Sequence, residues 1–97
     1  MDTPVISTDV LARYAGDAAK EVDGVAGLTR GAAEVAVTDP DRADVVVHVE
    51  LAWGIPAKDA CVQVQERVAE YLGRMANLEV GSVDVVVERV GAPPAKQ

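Results

Sequence analysis

The fold is decided by two valine-rich runs, which read DVVVHVELA at residues 44–52 and SVDVVVERV at residues 82–90. β-Branched side chains dominate both runs and turn residues bound them, so each run predicts a strand. Between the runs, an amphipathic segment that begins at Pro56 and ends near Arg74 or Met75 predicts a helix. A strand-helix-strand order of this kind makes the two strands parallel and the crossover right-handed.

Alternation along both runs predicts which side chains face the helices. One set of alternate positions is wholly apolar and is expected to form the core side of the sheet: Val45, Val47, Val49, Leu51, Val83, Val85 and Val87. The other set mixes valine with charged and polar residues and is expected to face away from the helices: Val46, His48, Glu50, Asp84, Val86 and Glu88.

Two helices are predicted, each with an apolar stripe at helical spacing. The first helix has Ser7 or Thr8 as its N-cap and ends at Asp23-Gly24. Its apolar positions are Val10, Leu11, Tyr14, Ala18 and Val22. The buried stripe of the second helix is predicted at Ala57, Cys61, Val64, Val68, Tyr71 or Leu72, and Met75.

Two further strands are predicted between the first helix and residue 44. Val25 to Leu28 is interpreted as the start of one strand, and Glu34 to Thr38 alternates as another. The turn signal Asp39-Pro40-Asp41 predicts an antiparallel hairpin with the first valine-rich run. The expected fold class is α+β, a two-layer sandwich with a mixed sheet of about three to four strands and two helices on one face, in the order α-β-β-β-α-β. Residues 1–91 are predicted to form a single domain, and residues 92–97 a flexible Pro-containing tail.

Composition limits the functions that this chain can perform. It has 97 residues, a net charge of −7 and no Phe. A chain of this length buries only about 60–65% of its unfolded surface, so we expect a small core without a deep ligand pocket and without a cofactor. The negative charge disfavours nucleic acid and anionic membrane surfaces as partners.

The sequence predicts a cytoplasmic protein. Its N-terminal residues lack the basic and apolar regions of a signal peptide, and its single cysteine, Cys61, has no partner for an internal disulfide. No stretch approaches the roughly 18–20 apolar residues of a spanning helix. We therefore expect no direct membrane insertion, and any membrane association to come through a partner.

The residues capable of chemistry are isolated from one another. His48 is the only imidazole and lacks a predicted nucleophile, and Cys61 is interpreted as a small core residue. Asp39, Asp41 and Asp44 cluster near the hairpin turn, but they lack the glycine and the terminal glutamate of a calcium loop. We predict no catalytic residue, no cofactor site and no metal site.

Two features remain open to interpretation. Gly24-Val25-Ala26-Gly27 satisfies the GxxG pattern with which KH domains grip a nucleic-acid backbone. That loop joins two helices in KH domains, whereas an apolar segment in an acidic chain favours a turn and a strand. Trp53 lies at a strand-to-helix junction, where an anchor for a protein partner and a cap for the core are equally good interpretations.

The chain resembles a known family over nearly its whole length. The residues that carry the resemblance include Trp53-Gly54-Ile55-Pro56, Val64-Gln65, Val68, Met75, Leu78, Val80 and Val83-Asp84-Val85-Val86-Val87. They are similar to the pattern of the alkaline shock protein or Gls-type general stress protein family, which belongs to the envelope stress response of Gram-positive bacteria. In this family Asn is frequent where this chain has Asp84, and Thr-Gly where it has Ala76-Asn77.

The resemblance implies a function without catalysis. Family members are cytoplasmic, some associate with themselves, and some are held at the membrane by a small integral-membrane protein. We therefore expect a non-enzymatic scaffold or adaptor in envelope stress response or homeostasis, with a membrane anchor or a second copy of the chain as protein partner. A KH-like nucleic-acid-binding regulator is the alternative. The predicted interface residues are Val46, His48, Glu50, Trp53, Asp84, Val86 and Glu88.

Overall fold

The structure is a computed structural model that describes residues 7–30, 33–39 and 42–93. Within them the chain forms two helices and four strands in the predicted order. Their bounds are α1 Thr8–Lys20, β1 Val25–Leu28, β2 Glu34–Asp39, β3 Arg42–Leu51, α2 Ala57–Ala76 and β4 Glu79–Val90. Of the predicted turn, Pro40 and Asp41 lie outside the described residues, as do residues 94–97 of the predicted tail.

Strand β3 is the centre of the sheet. β4 pairs with it in parallel along its whole length, from Arg42 opposite Glu79 to Leu51 opposite Val90. β2 and β1 are both antiparallel to β3, β2 along residues 42–46 and β1 along residues 49–51. Because β4 occupies one edge of β3 throughout, β1 and β2 share the other edge. The predicted parallel pair and the predicted hairpin are both confirmed, and so is the mixed α+β sheet.

The core lies between the sheet and the two helices, as the strand alternation predicts. Val45, Val47 and Val49 are fully buried, and Leu51 is 1% exposed. Each such side chain contributes about 1.5–3 kcal/mol when it leaves water. The helix residues that complete this core are Leu11, Ala15, Ala18 and Ala19 of α1 and Ala60, Val64, Val68 and Leu72 of α2. The helices therefore cover one face of the sheet.

A side-chain cap marks the start of α1, and an aromatic pair joins α1 to α2. The Ser7 hydroxyl accepts a hydrogen bond of 3.3 Å from the Val10 amide, which confirms Ser7 as the N-cap. The rings of Tyr14 and Tyr71 meet between the two helices, with centroids 5.8 Å apart and planes tilted by 54°. This is a favourable geometry for an aromatic pair.

The predicted stripe of α2 is wrong at both of its ends. Ala57 and Met75 are exposed and Cys61 is only partly buried, whereas Ala60 is buried. The prediction alternated spacings of three and four, but the buried residues follow a uniform spacing of four, from Ala60 through Val64 and Val68 to Leu72. Residues four apart form the ridge with which a helix packs against its neighbours. The two patterns coincide only in the middle of the helix.

Helix α2 ends through a left-handed residue. Asn77 has a φ of 55°, and its amide donates to the Leu72 carbonyl. Glycine adopts this conformation without steric cost, and asparagine tolerates it better than other residues with a side chain. The structure thus gives a physical reason why Gly is frequent at this position in the family that the sequence resembles.

We expect Asn77→Val to lower the free energy of unfolding by about 1–2 kcal/mol, because a β-branched residue is strained in the left-handed region. Asn77→Gly is the matched control and should change stability by less than about 0.5 kcal/mol. Urea denaturation followed by circular dichroism measures both values. Equal stabilities for the two variants would contradict the assigned backbone conformation.

Candidate protein interface

The outward face of the sheet gathers six of the seven predicted interface residues, five of them in a regular array and Glu88 at a bulge beside it. Strand register and alternation place Val46, His48 and Glu50 of β3 beside the outward residues of β4. The array has four rows, read from the β1 and β2 side through β3 to β4. These rows are Ala36–Asp44–Ser82, Glu34–Val46–Asp84, Thr29–His48–Val86 and Gly27–Glu50–Arg89.

Two valines form the apolar centre of this face. Val46 is half-buried, and Val86, one row further along on β4, is 39% exposed. The neighbours of Val46 in its own row are both acidic, Glu34 on β2 and Asp84 on β4. The centre of the outward face is therefore apolar with carboxylates at its margins.

His48 lies between two carboxylates from different strands. Its Nε2 is 3.3 Å from Glu34 Oε2, and its Nδ1 is 3.5 Å from Glu88 Oε1. The second contact lacks hydrogen-bond geometry, so Nδ1 is a buried polar atom without a hydrogen-bond partner. The side chain is only 11% exposed. The ring therefore shares a hydrogen bond with Glu34 of β2 and lies beside Glu88 of β4 without bonding to it.

Glu88 is the most strongly bound charge on this face. Arg30 donates to both of its carboxylate oxygens, at 3.1 and 2.8 Å, and the Thr29 hydroxyl donates at 2.5 Å. These hydrogen bonds lower the pKa of Glu88 to about 2. The pairing register jumps from Val87 to Arg89 at this point, so Glu88 is the extra residue of a β-bulge. The bulge releases Glu88 from the ladder, and its side chain reaches across β3 to the end of β1.

Charge is paired at one end of the outward face and unpaired near its centre. Arg89 lies 3.6 Å from Glu50, and Arg30 lies 2.8 Å from Glu88. Asp84 makes no ion pair within the described part of the chain, and the Glu34 side chain is 70% exposed. The carboxylates on both sides of Val46 therefore lack an Arg or Lys ion pair among the described residues.

Trp53 lies beyond the end of β3, in the turn before α2. It is 55% exposed and is not one of the core residues. The neighbouring Ile55 instead packs on Gly24, where a Cβ atom would come within 2.8 Å of Ile55 Cγ2. Trp53 therefore presents an accessible aromatic surface at the end of the sheet, separate from the array of Val46 and Val86.

The partners of the charged residues on the outward face were not predicted from the sequence: Thr29 and Arg30 at Glu88, Glu34 at His48, and Arg89 at Glu50. The first three lie on or beside strands whose outward positions are set by pairing with β3. Arg89 joins this face only because of the bulge at Glu88. A bulge leaves no signal in the periodicity of a helix or strand, so alternation alone does not place Arg89 on the outward face.

The geometry argues against a Cys61–His48 pair and against a metal site at the acidic residues near the hairpin. Cys61 lies on α2, in the layer opposite His48, and burial raises the pKa of its thiol. In the segments that the structure describes, no group of three or more His, Cys, Asp or Glu side chains is arranged to hold a metal ion. The Asp44 carboxylate accepts a hydrogen bond of 3.2 Å from the Ser82 hydroxyl, and Asp41 lies outside the described residues.

The GxxG segment also differs from the KH arrangement. Gly24 lies in the turn after α1 with a φ of 97°, and Gly27 lies within β1. The segment therefore joins a helix to a strand rather than two helices. No described helix is long and apolar enough to cross a membrane.

A comparison with known families identifies the family of this chain. Residues 2–92 match the Asp23 family, whose members have a cell envelope-related function. The chain belongs to the alkaline shock protein (Asp23) family. The family name is unrelated to the residue Asp23 of this chain. Membership confirms the resemblance found in the sequence and assigns the protein a cell envelope-related role.

Comparison with solved structures shows the fold. The copper form of a MamM CTD variant is 17% identical, with a TM-score of 0.68 over 89% of this chain and 100% of that one. The cadmium form of another MamM CTD variant is also 17% identical, with a TM-score of 0.66 over 86% of this chain and 98% of that one. At this identity the likeness concerns the fold alone. No curated protein matches the chain.

The lowered pKa of Glu88 makes the stability of the folded protein depend on pH. A carboxylate whose pKa falls on folding stabilises the native state above its unfolded pKa, and that stabilisation is lost as pH falls towards the folded value. For Glu88 the window runs from about 4.5 down to about 2. We therefore expect Glu88→Gln to destabilise the protein most at neutral pH, with a difference from wild type that shrinks as pH falls through this window.

Urea denaturation of both proteins between neutral pH and pH about 3 checks this expectation. Glu66→Gln, at an exposed position of α2, is the matched control for loss of one negative charge. A Glu88→Gln difference that stays constant with pH would show that Arg30 and Thr29 do not hold this carboxylate.

Proposed function

We propose that this protein is a non-enzymatic cytoplasmic scaffold or adaptor in cell-envelope stress response or homeostasis, which binds a protein partner through the outward face of its sheet. The observation that carries the proposal is the arrangement of Val46 and Val86. Two valines at the centre of a sheet face, ringed by charged residues, resemble the apolar core and polar rim of a protein interface. Family membership supports the cell envelope-related part of the proposal.

The partner that we favour is a protein that connects the chain to the envelope. The net charge of −7 opposes adsorption to anionic lipids, so a membrane association requires a partner such as a small integral-membrane anchor. The same face in a second copy of the chain is the other form of the proposal. Trp53, at 55% exposure, is an anchor that either partner can use at the end of the sheet.

The geometry of His48 supports a non-catalytic role. Both of its ring nitrogens face carboxylates, and its side chain is 11% exposed. A general base needs a nitrogen that can reach a substrate and a group to activate. Here the imidazole shares a hydrogen bond with Glu34, lies beside the carboxylate of Glu88, and has no nucleophile next to it among the described contacts.

The double variant Val46→Asp with Val86→Asp tests the proposed interface. It places two more carboxylates in an acidic surface without altering the residues that face the helices. Burying them against a partner costs more than about 1.4 kcal/mol, so partner recovery should fall by about tenfold or more. Tagged protein is recovered from its own cells, and the membrane and soluble fractions are analysed separately by mass spectrometry.

Val62→Asp is the matched control, because Val62 lies on α2 and is 42% exposed. It should retain the partners that the wild-type protein recovers. Circular dichroism establishes that each variant is folded. If the double variant is folded and recovers the same proteins in the same amounts, the outward face is not the interface.

The KH-like alternative predicts binding of RNA, which the scaffold proposal does not. A protein with a net charge of −7 and no basic stripe releases few counterions from a phosphate backbone. We expect no mobility shift of labelled single-stranded RNA at micromolar protein and physiological salt. A shift that weakens steeply as salt is raised would favour the alternative.

A further inference from the structure

One edge of the sheet remains available for pairing. β3 is paired on both sides, and β4 pairs with β3 on one side only. Within residues 7–30, 33–39 and 42–93, no strand lies along the other edge of β4. An edge of this kind presents unpaired backbone donors and acceptors to which an extended segment can add.

The pairing pattern shows which residues of β4 turn their backbone groups outward. The Leu51 carbonyl accepts from the Gly91 amide on the β4 side, whereas the His48 carbonyl accepts from the Thr29 amide on the β1 side. The backbone N–H and C=O groups of the odd-numbered residues of β3 therefore point towards β4. In a parallel ladder with this register, the backbone groups of Ser82, Asp84 and Val86 point towards β3. Those of Val83, Val85 and Val87 point to the free edge.

A side chain from α2 confirms this direction and occupies one of these positions. Gln65 Nε2 donates a hydrogen bond of 3.0 Å to the Val83 carbonyl. The Gln65 side chain occupies the position from which another strand would donate to this carbonyl. The edge is thus covered at Val83, while the backbone groups of Val85 and Val87 have no such partner in the segments described.

The regular part of this edge is short and carries one carboxylate without an ion pair among the described residues. Register shifts at Gly81 and Glu88 bound a stretch, residues 82–87, that pairs with β3 without interruption. The outward side chain at the middle of this stretch is Asp84, which has no ion pair among the described residues. Val86 follows it on the same face, 39% exposed. A strand added here would place its own outward side chains beside Asp84 and Val86.

Charge disfavours a second copy of this chain as the added strand. In an antiparallel pair of two β4 strands centred on Asp84, each Asp84 faces the other. A pair centred on Val86 sets Asp84 against the second copy's Glu88, and like charges directly opposite each other are destabilising. Centring on Val85 avoids these contacts, but the repulsion between chains of net charge −7 remains.

We propose that the free edge of β4 accepts an extended cationic segment of a partner protein, which pairs with the backbone of Val85 and Val87 and places a basic side chain beside Asp84. The proposal deepens the scaffold function and rests on it. Gln65 sets where the pairing stops, because its hydrogen bond to the Val83 carbonyl closes the edge at that residue. The partner is recognised by alternating basic and apolar residues in an extended segment.

The test uses a synthetic peptide of about eight residues that alternates lysine and valine, with blocked ends, because strands of this length match the accessible edge. Binding is measured by isothermal titration calorimetry. Pairing is located by amide hydrogen exchange in the full-length protein. The amides of Val85 and Val87 should exchange more slowly when the peptide is bound.

Three comparisons separate strand addition from simple charge attraction. A peptide of the same charge with alternate backbone nitrogens methylated should bind at least about tenfold more weakly, because it cannot donate hydrogen bonds to the edge. Asp84→Asn should weaken the unmodified peptide several-fold at low salt and less at high salt. Gln65→Ala should tighten it a few-fold, because the Val83 carbonyl becomes available.

The proposal is overturned if the methylated peptide binds as tightly as the unmodified one, or if Val85 and Val87 are not protected. It is also overturned if a glutamate-valine peptide binds equally well. Concentration-dependent dimerisation without peptide, strengthened by Gln65→Ala and accompanied by protection of these amides, would identify a second copy as the occupant instead. If the Val46→Asp, Val86→Asp variant still loses its cellular partners, the scaffold function stands even where the edge proposal fails.

Discussion

The structure depends on the two-sided alternation of β3. Val45, Val47, Val49 and Leu51 are buried at 0–1% exposure in the core that both helices complete, while the residues between them form the middle of the outward face. A slip of one residue would exchange these two sets and bury charged groups without partners. Because β1, β2 and β4 all pair with β3, this single register also sets the position of every residue of the proposed interface.

Much of the fold was predictable from the sequence, because period-two alternation in two valine-rich runs is a strong signal. The parallel pair, the hairpin and the helix layer all follow from it. The stripe of α2 was less predictable, since Ala60 rather than Ala57 or Cys61 is buried. The phase of a helix depends on the ridge that meets its neighbours, and alanine-rich sequences leave that ridge poorly marked.

The candidate site was predictable in its strand residues and not in their connections. Alternation placed Val46, His48 and Glu50 on one face, but the ring of His48 between Glu34 and Glu88 depends on pairing between distant segments. The bulge at Glu88 and the bond from Gln65 to Val83 leave no pattern in the sequence. Both features determine where the sheet presents charge and backbone hydrogen-bonding groups.

The core between the sheet and the helices stabilises the fold, and the outward face is the proposed interface. Site-specific photocrosslinking in cells tests this division directly, with a photoreactive amino acid at position 86 of the outward face or at position 62 of α2. Val86 and Val62 are matched, at 39% and 42% exposure, so accessibility alone does not distinguish them. If the outward face is the interface, position 86 yields a discrete crosslinked protein and position 62 yields none. Crosslinking from position 62 without any from position 86 would contradict this assignment.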